Sequence, residues 1–373
     1  MIIGDNTTTS MRSTFQHNYV RSHVKSHVKN EVKSGQPAAT VETAQPLYVV
    51  GGQQRLPRSI LNQDQQWYDY QKGVILRVNP RTCQVETCLE YISPPEACAP
   101  GDPILFKSGT VQGDKFYVCT QTEVMVFKLP EFTQLAYISL PSFNDVHHVR
   151  PTPAGNLLVA ISGLDMVVEV NLCGEVLREW DVYDSKPWTR FSKEIDYRKG
   201  ISTKPHKSHP NQVFMVDDEI WVTRFEQRDA ICLNRPERRI RIGTERVHDG
   251  LLYEGRLYFT TVNGTVVVAN PVTLQVEEVI DLAAIHDAEI LLGWCRGIFV
   301  EGTRAWVGFS RIRPTKFREA VGWVRTGFKQ SLQTHIACYD LVDRRCIAEI
   351  GLEDQCLNAV FSIFPAFVGS EQS

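Results

Sequence analysis

The feature of this sequence that most limits its possible fold is an internal repeat. A short strand-like segment recurs five times, each time after a turn, and a hairpin-like pair of apolar runs follows most of the copies. Strand units of this kind bury their apolar faces by packing against one another, as the blades of a β-propeller do. The five segments are Asp114–Val118, Gly155–Val159, Asp218–Val222, Gly255–Phe259 and Thr303–Val307.

The two ends of the repeat region complete each other. The hairpin Val74–Glu86 follows the apolar run Leu47–Gly52 but has no innermost strand of its own, and Leu357–Ile363 is a strand-like run without a hairpin. Pairing these ends makes a sixth unit and leaves no open sheet edge. The sequence therefore predicts an all-β, six-bladed β-propeller over residues 47–373, closed by its N- and C-terminal strands.

The segment before the repeats has a different composition. Residues 1–46 are rich in Ser, Thr, Asn, Lys and His and poor in large apolar residues. Such a chain buries too little apolar surface to offset the entropy lost on ordering. We predict a disordered N-terminal tail over these residues.

Composition excludes several classes of function. The net charge of −3 gives no overall field for nucleic acid or an anionic membrane. No apolar run is long enough for a transmembrane helix, and Met1–Ser10 lacks the apolar core of a secretion signal. The ten cysteines are scattered without a CxxC motif, which indicates free thiols in a reducing compartment. We expect a cytoplasmic protein whose partner is a small molecule, and the oligomeric state is left open.

Polar residues recur at one register of the repeat. Ten residues before the aligned aromatic or leucine of each copy stands a polar side chain, at the start of the predicted innermost strand. Innermost strands line the central channel of a propeller, so these side chains are expected at its mouth. They are Lys107, His148, Asn211, His248 and Arg296, with Asn358 at the start of the C-terminal strand and His147 and His209 beside the series.

The histidines at this register indicate a reactive site. Several neutral imidazoles together suit a divalent transition metal such as Zn, Cu, Fe or Mn, and the predicted ligands are His148, His209 and His248. The alternative is a direct acid–base or anion-binding role beside Lys107 and Arg296. The predicted catalytic residues are His148, His209, His248, Arg296, Lys107 and Asp249. Carboxylates that would orient the imidazoles or exchange protons are Asp145, Asp249, Asp287 and Glu289.

One predicted blade carries a resemblance to a known family. The segments Asp145–Val159 and Glu175–Trp180 resemble a blade of the arylsulfotransferase propellers, in which a His-Asp pair opens a strand followed by Gly-Asn-Leu-Leu-Val and a Glu-Trp end. This sequence has His147-His148 in place of that pair. The other blades are similar to those of gluconolactonase, strictosidine-synthase-like and NHL-type six-bladed propellers, although the calcium ligands of the gluconolactonases find no match here.

The resemblance implies that the long connections lie over one channel mouth. They are residues 52–72, 92–106, 183–208 and 310–333, and long loops over one mouth favour a small-molecule site. The last connection mixes basic and aromatic residues, which suit an anionic or aromatic ligand. The predicted ligand-binding residues are Asn211, Asn358, Arg318, Arg325 and Trp323.

Two functional hypotheses follow from the sequence. The first is a small-molecule enzyme of a biosynthetic kind that performs metal-assisted oxidation, lyase or cyclisation chemistry, or group transfer. The second is a non-catalytic propeller that binds a ligand or a protein. The lack of a WD signature and the one-sided loops count against a plain protein-docking scaffold.

Overall fold

The six predicted blades are present in the structure, a computed structural model that describes residues 45–55, 69–183, 186–200, 202–286, 290–312 and 330–367. Six four-stranded antiparallel sheets form a six-bladed β-propeller, as predicted. In chain order, blade 1 contains β1 (Leu47–Gln54), β2 (Tyr70–Asn79) and β3 (Gln84–Tyr91), and blade 2 contains β4 (Gly109–Gln112), β5 (Lys115–Cys119), β6 (Val124–Lys128) and β7 (Thr133–Ile138).

The remaining strands follow the same order from the channel outwards. Blade 3 contains β8 (Val146–Pro151), β9 (Leu157–Ile161), β10 (Met166–Val170) and β11 (Val176–Asp181). Blade 4 contains β12 (Pro210–Val216), β13 (Glu219–Arg224), β14 (Asp229–Cys232) and β15 (Arg235–Arg241). Blade 5 contains β16 (Leu251–Tyr253), β17 (Arg256–Thr261), β18 (Thr265–Ala269) and β19 (Val276–Asp281), followed by helix α1 (Leu282–His286) and β20 (Ile290–Leu291). Blade 6 contains β21 (Trp294–Glu301), β22 (Arg304–Ser310), β24 (His335–Asp340) and β25 (Arg345–Gly351), and β23 (Gln330–Ser331) pairs with β20.

The C-terminal strand β26 (Ala359–Pro365) closes the ring. It is the innermost strand of blade 1 and pairs antiparallel with β1, from Leu47 opposite Pro365 to Gly52 opposite Ala359. The Ala366 N–H donates to the Pro46 carbonyl at 2.8 Å and extends this pairing. Closure by the two chain ends is thus confirmed. Residues 1–44 lie outside the described residues, so the disordered tail stays a prediction.

The apolar core is divided among the interfaces between blades. Strand β9 shows why, because its alternate side chains face opposite neighbours. Leu157, Val159 and Ile161 pack towards blade 2, while Leu158 and Ala160 pack towards blade 4. A strand buried on both faces has a continuous apolar run rather than an alternating pattern. The apolar runs therefore recur in the sequence because each blade packs against a neighbour on both of its faces.

Two of the predicted long connections meet over blades 2 and 3. Lys199 donates from Nζ to the carbonyls of Pro95 and Glu96 at 2.9 and 2.7 Å, and the Tyr197 N–H donates to the Pro141 carbonyl at 2.7 Å. Most of 52–72 and 310–333 lies outside the described residues. All ten cysteines are free thiols. No described helix is long and apolar enough to cross a membrane, and the cytoplasmic location stays a prediction.

Candidate metal centre at the channel mouth

Every blade contributes one side chain to a set of neighbouring groups where the innermost strands begin. The rings of His147 and His209 lie 4.7 Å apart between centroids, and His147 and His248 lie 6.0 Å apart. The ring of Phe361 lies 6.1 Å from that of His248. The innermost strands thus bring several of the predicted residues together. In blade order from 2 to 6 and then 1, the side chains are Lys107, His147, His209, His248, Arg296 and Phe361.

The structure places His147, rather than the predicted His148, beside His209 and His248. The β8–β9 register shifts between Val146 and His148, so His147 is the extra residue of a β-bulge and turns towards the channel. His148 lies between blades 3 and 4, where its Nδ1 accepts the Val213 N–H at 3.3 Å. Burial is the main reason that the pKa of His148 falls to about 3.

A group that could hold a metal ion is formed by Asp145, His206 and His209. Their ligand atoms all lie within 4.8 Å of one another, and among the described residues no other set of three His, Cys, Asp or Glu does so. His148, His209 and His248 are therefore not gathered around one point, and their ligand role stays a prediction without support from this geometry. His209 belongs to both sets.

The distances within the group fit a metal ion after small shifts. The Nδ1 atoms of His206 and His209 are 2.6 Å apart, and Nδ1 of His209 is 4.0 Å from Oδ2 of Asp145. Zinc–nitrogen bonds of 2.0–2.1 Å place two ligand nitrogens about 3 Å apart. The side chains of Asp145 and His209 are 12% and 18% exposed, so the group is largely buried but open to the mouth.

A chain of hydrogen bonds sets the tautomer of His206. The Asn144 amide donates from Nδ2 to the Tyr197 carbonyl at 2.7 Å, so its Oδ1 is oriented to accept the Thr203 hydroxyl at 3.2 Å. The Thr203 oxygen then accepts Nε2–H of His206 at 3.2 Å. This leaves the lone pair of Nδ1 facing His209, which is the arrangement of a metal-binding imidazole held by an outer hydrogen bond.

Asp165 holds the backbone that carries both histidines. Its fully buried carboxylate accepts the N–H groups of Lys207, Ser208 and His209 at 2.8, 2.9 and 2.6 Å, and Arg190 donates to it at 2.8 Å. His209 has φ +55°, a conformation that non-glycine residues rarely adopt without such support. The turn brings two histidines three residues apart to one side of the chain.

The ionisation states suit metal binding. Burial alone would raise the pKa of Asp145, but Lys107 and the nearby histidines outweigh it and hold that pKa well below its usual value. Lys107 is 3% exposed and donates to Asp145, although burial lowers the pKa of its amine. Burial also lowers the pKa of His206 and His209. A charged carboxylate and neutral imidazoles are the forms that bind metals.

A second polar unit, His248 with Asp249, lies beside the group. The Asp249 carboxylate accepts from the Thr260 hydroxyl, from the Gly297 N–H at 2.7 Å and from Nδ1 of His248 at 3.3 Å. Nδ1 of His248 therefore carries the proton, and Nε2 has a lone pair. This Nε2 is buried and has no hydrogen-bond partner among the described residues.

The other predicted site residues have different surroundings. Asn211 is buried and donates to the Val247 carbonyl at 3.0 Å, and Asn358 accepts the Gln54 N–H at 2.8 Å, so both amides join neighbouring segments. Arg296 lies with its guanidinium 4.3 Å from the Phe361 ring centroid. Arg318, Arg325, Trp323, Asp287 and Glu289 lie outside the described residues.

Sequence reasoning did not single out His206 or Phe361. His206 lies in the long connection before β12, and the spacing of the repeated strands predicts only residues within or beside those strands. Its spacing of three residues from His209 was the available signal. Phe361 lies on β26, and a pattern of polar residues at strand starts predicts Asn358, which precedes this strand, instead.

A cavity of about 190 Å³ borders the group of Asp145, His206 and His209 on the side of blades 2 and 3. Two of the three candidate ligands, Asp145 and His206, form part of its wall. The long connection before β12 and the loops of blade 2 supply the rest. The lining residues are Asp102, Pro103, Gln121, Thr122, Asn144, Asp145, Tyr197, Arg198, Gly200, Ser202, Thr203, Lys204 and His206.

Comparisons with known proteins show a similarity in fold only. No family model and no curated protein matches the sequence. A protein of unknown function from Bacteroides caccae is similar in structure over 87% of this chain and 100% of its own, with a TM-score of 0.56 and 14% identity. A catalytically inactive virginiamycin B lyase from Staphylococcus aureus, solved with quinupristin, matches 63% of this chain and 69% of its own, with a TM-score of 0.41 and 13% identity.

Proposed function

We propose that this protein is a metal-dependent enzyme that acts on a small molecule at the channel mouth. One observation carries the proposal, which is the convergence of Asp145, His206 and His209 beside a cavity. Two imidazoles and one carboxylate recur in catalytic zinc sites and in non-haem iron sites, where coordination positions stay open for water or substrate.

Asp145, His206 and His209 would hold the ion. When bound, such an ion polarises a coordinated oxygen or lowers the pKa of a bound water. Lys107 donates to Asp145 and keeps its carboxylate charged, and Thr203 orients His206. These contacts orient the carboxylate and one imidazole before an ion arrives.

His248 is the candidate proton acceptor of the site. Asp249 fixes its tautomer, and burial lowers its pKa, so the lone pair of Nε2 is available near neutral pH. The ring lies next to His147, which in turn lies next to His209. The reaction class remains within oxidation, lyase or cyclisation chemistry, or group transfer.

Metal analysis of the purified full-length protein tests the proposal. We expect about one transition-metal ion per chain by plasma mass spectrometry, and its loss in His206→Ala and His209→Ala. His286→Ala is the matched control, because His286 lies in α1 and pairs with Glu349. Wild-type protein that binds no metal after exposure to Zn²⁺, Fe²⁺, Mn²⁺ and Cu²⁺ would contradict the proposal. Metal and ligand binding without turnover would favour the non-catalytic binding propeller.

A further inference from the structure

The cavity beside Asp145, His206 and His209 has a mixed wall, in which carbon atoms supply more of the surface than nitrogen and oxygen atoms do. Its wall carries hydroxyls, amides and charged groups, and Tyr197 is its one aromatic residue among those described. An apolar ligand would leave these groups without partners after displacing water, which costs a few kcal/mol for each buried group. The lining therefore favours a molecule that combines C–H surface with hydrogen-bonding groups over a purely apolar one.

Two buried polar atoms of residues that line the cavity lack partners and complement each other. Nε2 of Gln121 is a buried donor, and Oδ2 of Asp145 is a buried acceptor, and neither has a hydrogen bond within the part of the chain that the structure describes. Asp102 adds a second carboxylate opposite Gly200, whose φ is +70°. A side chain at Gly200 would place its Cβ 3.3 Å from the Asp102 oxygens, so glycine keeps that carboxylate accessible. Hydroxyl groups both donate and accept, and thus match such a mixed wall.

The wall carries charges of both signs. Arg198 donates to both oxygens of Asp196 at 2.8 and 2.7 Å and also to the Ser139 carbonyl, so its guanidinium is engaged in holding the loop. Asp102 and Asp145 are matched in number by Arg198 and Lys204, and a wall of balanced charge suits a neutral ligand. The sequence analysis predicted an anionic or aromatic ligand from the 310–333 connection. Most of that connection lies outside the described residues, so this stays a prediction.

We propose that this cavity binds a small polyhydroxylated molecule, a sugar or polyol, and directs one of its oxygens towards Asp145 and His206. The proposal rests on the proposed function for the use of the bound molecule, because the same two residues would hold the ion. Binding of the polyol is a separate event that can be measured by itself.

The test uses the full-length protein with and without one equivalent of Zn²⁺. Saturation-transfer NMR and calorimetry would follow glucose, galactose, mannose, ribose, glycerol and myo-inositol, with cyclohexanol and inorganic phosphate as the apolar and anionic probes. We expect at least one polyol to bind, and Asp102→Leu and Gln121→Leu to weaken it at least tenfold. Asp218→Leu and Gln84→Leu change exposed residues outside the cavity and are the matched controls.

The outcomes separate the two proposals. The ligand inference is overturned if no polyol binds, if phosphate or cyclohexanol binds more tightly, or if both cavity variants bind the polyol as wild type does. Thermal unfolding of each variant shows whether it is folded. Polyol binding without metal binding would support this inference and contradict the metal-dependent enzyme. Metal binding without polyol binding would do the reverse.

Discussion

At the scale of single residues, one bulge decides which histidine faces the channel. His147 and His148 are neighbours in β8, but the first lies with His209 at the mouth and the second accepts a backbone N–H between blades. The regular spacing of the repeat predicted the right strand and the right end of it. A one-residue bulge has no signature in sequence spacing, because it changes the direction of a side chain without changing the repeat length.

Thr203 should control metal affinity through His206. Thr203→Val keeps the shape of the side chain but removes the oxygen that accepts Nε2–H, so the imidazole loses its fixed tautomer and orientation. We expect metal affinity to fall about 10- to 100-fold. Competition with a chromophoric chelator measures it, and Thr133→Val, an exposed change on β7, is the control. Equal affinities in Thr203→Val and wild type would show that this hydrogen bond is not part of the site.

His148 should make the protein less stable in acid. Its pKa is about 3 in the folded state, against 6.5 for an unperturbed histidine, so the unfolded chain binds the extra proton between these pH values. The free energy of unfolding therefore falls as pH drops from about 6.5 towards 3, by about 3 kcal/mol between pH 7 and pH 4. His148→Gln, which can still accept the Val213 N–H, should lose this part of the pH dependence. Urea unfolding at pH 7 and pH 4 measures this change in the free energy of unfolding. An equal change in His148→Gln and in the wild type would contradict the assignment of this pH dependence to His148.

At the scale of elements, the sequence repeat predicted most of the fold. Each of the five recurring segments is a strand in the structure, because packing against two neighbouring blades requires apolar side chains on both faces of that strand. The strands are β5, β9, β13, β17 and β22. The repeat did not predict the candidate metal site as completely. His206 owes its place to a turn held by Asp165 from the connection after β9, and a contact between such distant residues leaves no periodic pattern.

The closure of the ring requires a glycine at position 51. A Cβ at Gly51 would lie 1.7 Å from the Ala359 carbonyl oxygen, where β1 meets β26. Gly51→Ala must therefore push these strands apart, and we expect a loss of about 2–4 kcal/mol in the free energy of unfolding. Gly351→Ala, where an added Cβ meets no atom within 4 Å, is the matched control. Denaturant unfolding of both variants measures the difference, and equal stabilities would contradict the closure.

At the scale of the whole molecule, the ring architecture explains why a site forms at all. Each blade is stabilised by its two neighbours, so the first residues of the innermost strands contribute little to the core and are free to be polar. Five polar side chains and Phe361 lie close together where these strands begin, and the connection before β12 lies beside them. Buried imidazoles, a charged carboxylate and a polar cavity then lie together although they are far apart in sequence.

X-ray absorption spectroscopy of the metal-loaded protein tests the central claim most directly. For a zinc or iron ion held by Asp145, His206 and His209, we predict scattering from two imidazole rings at about 2.0–2.1 Å together with oxygen ligands. His206→Ala should remove one imidazole contribution from the spectrum, whereas His286→Ala should leave the spectrum unchanged. A spectrum without imidazole scattering, or one that His206→Ala does not alter, would contradict the proposed metal centre.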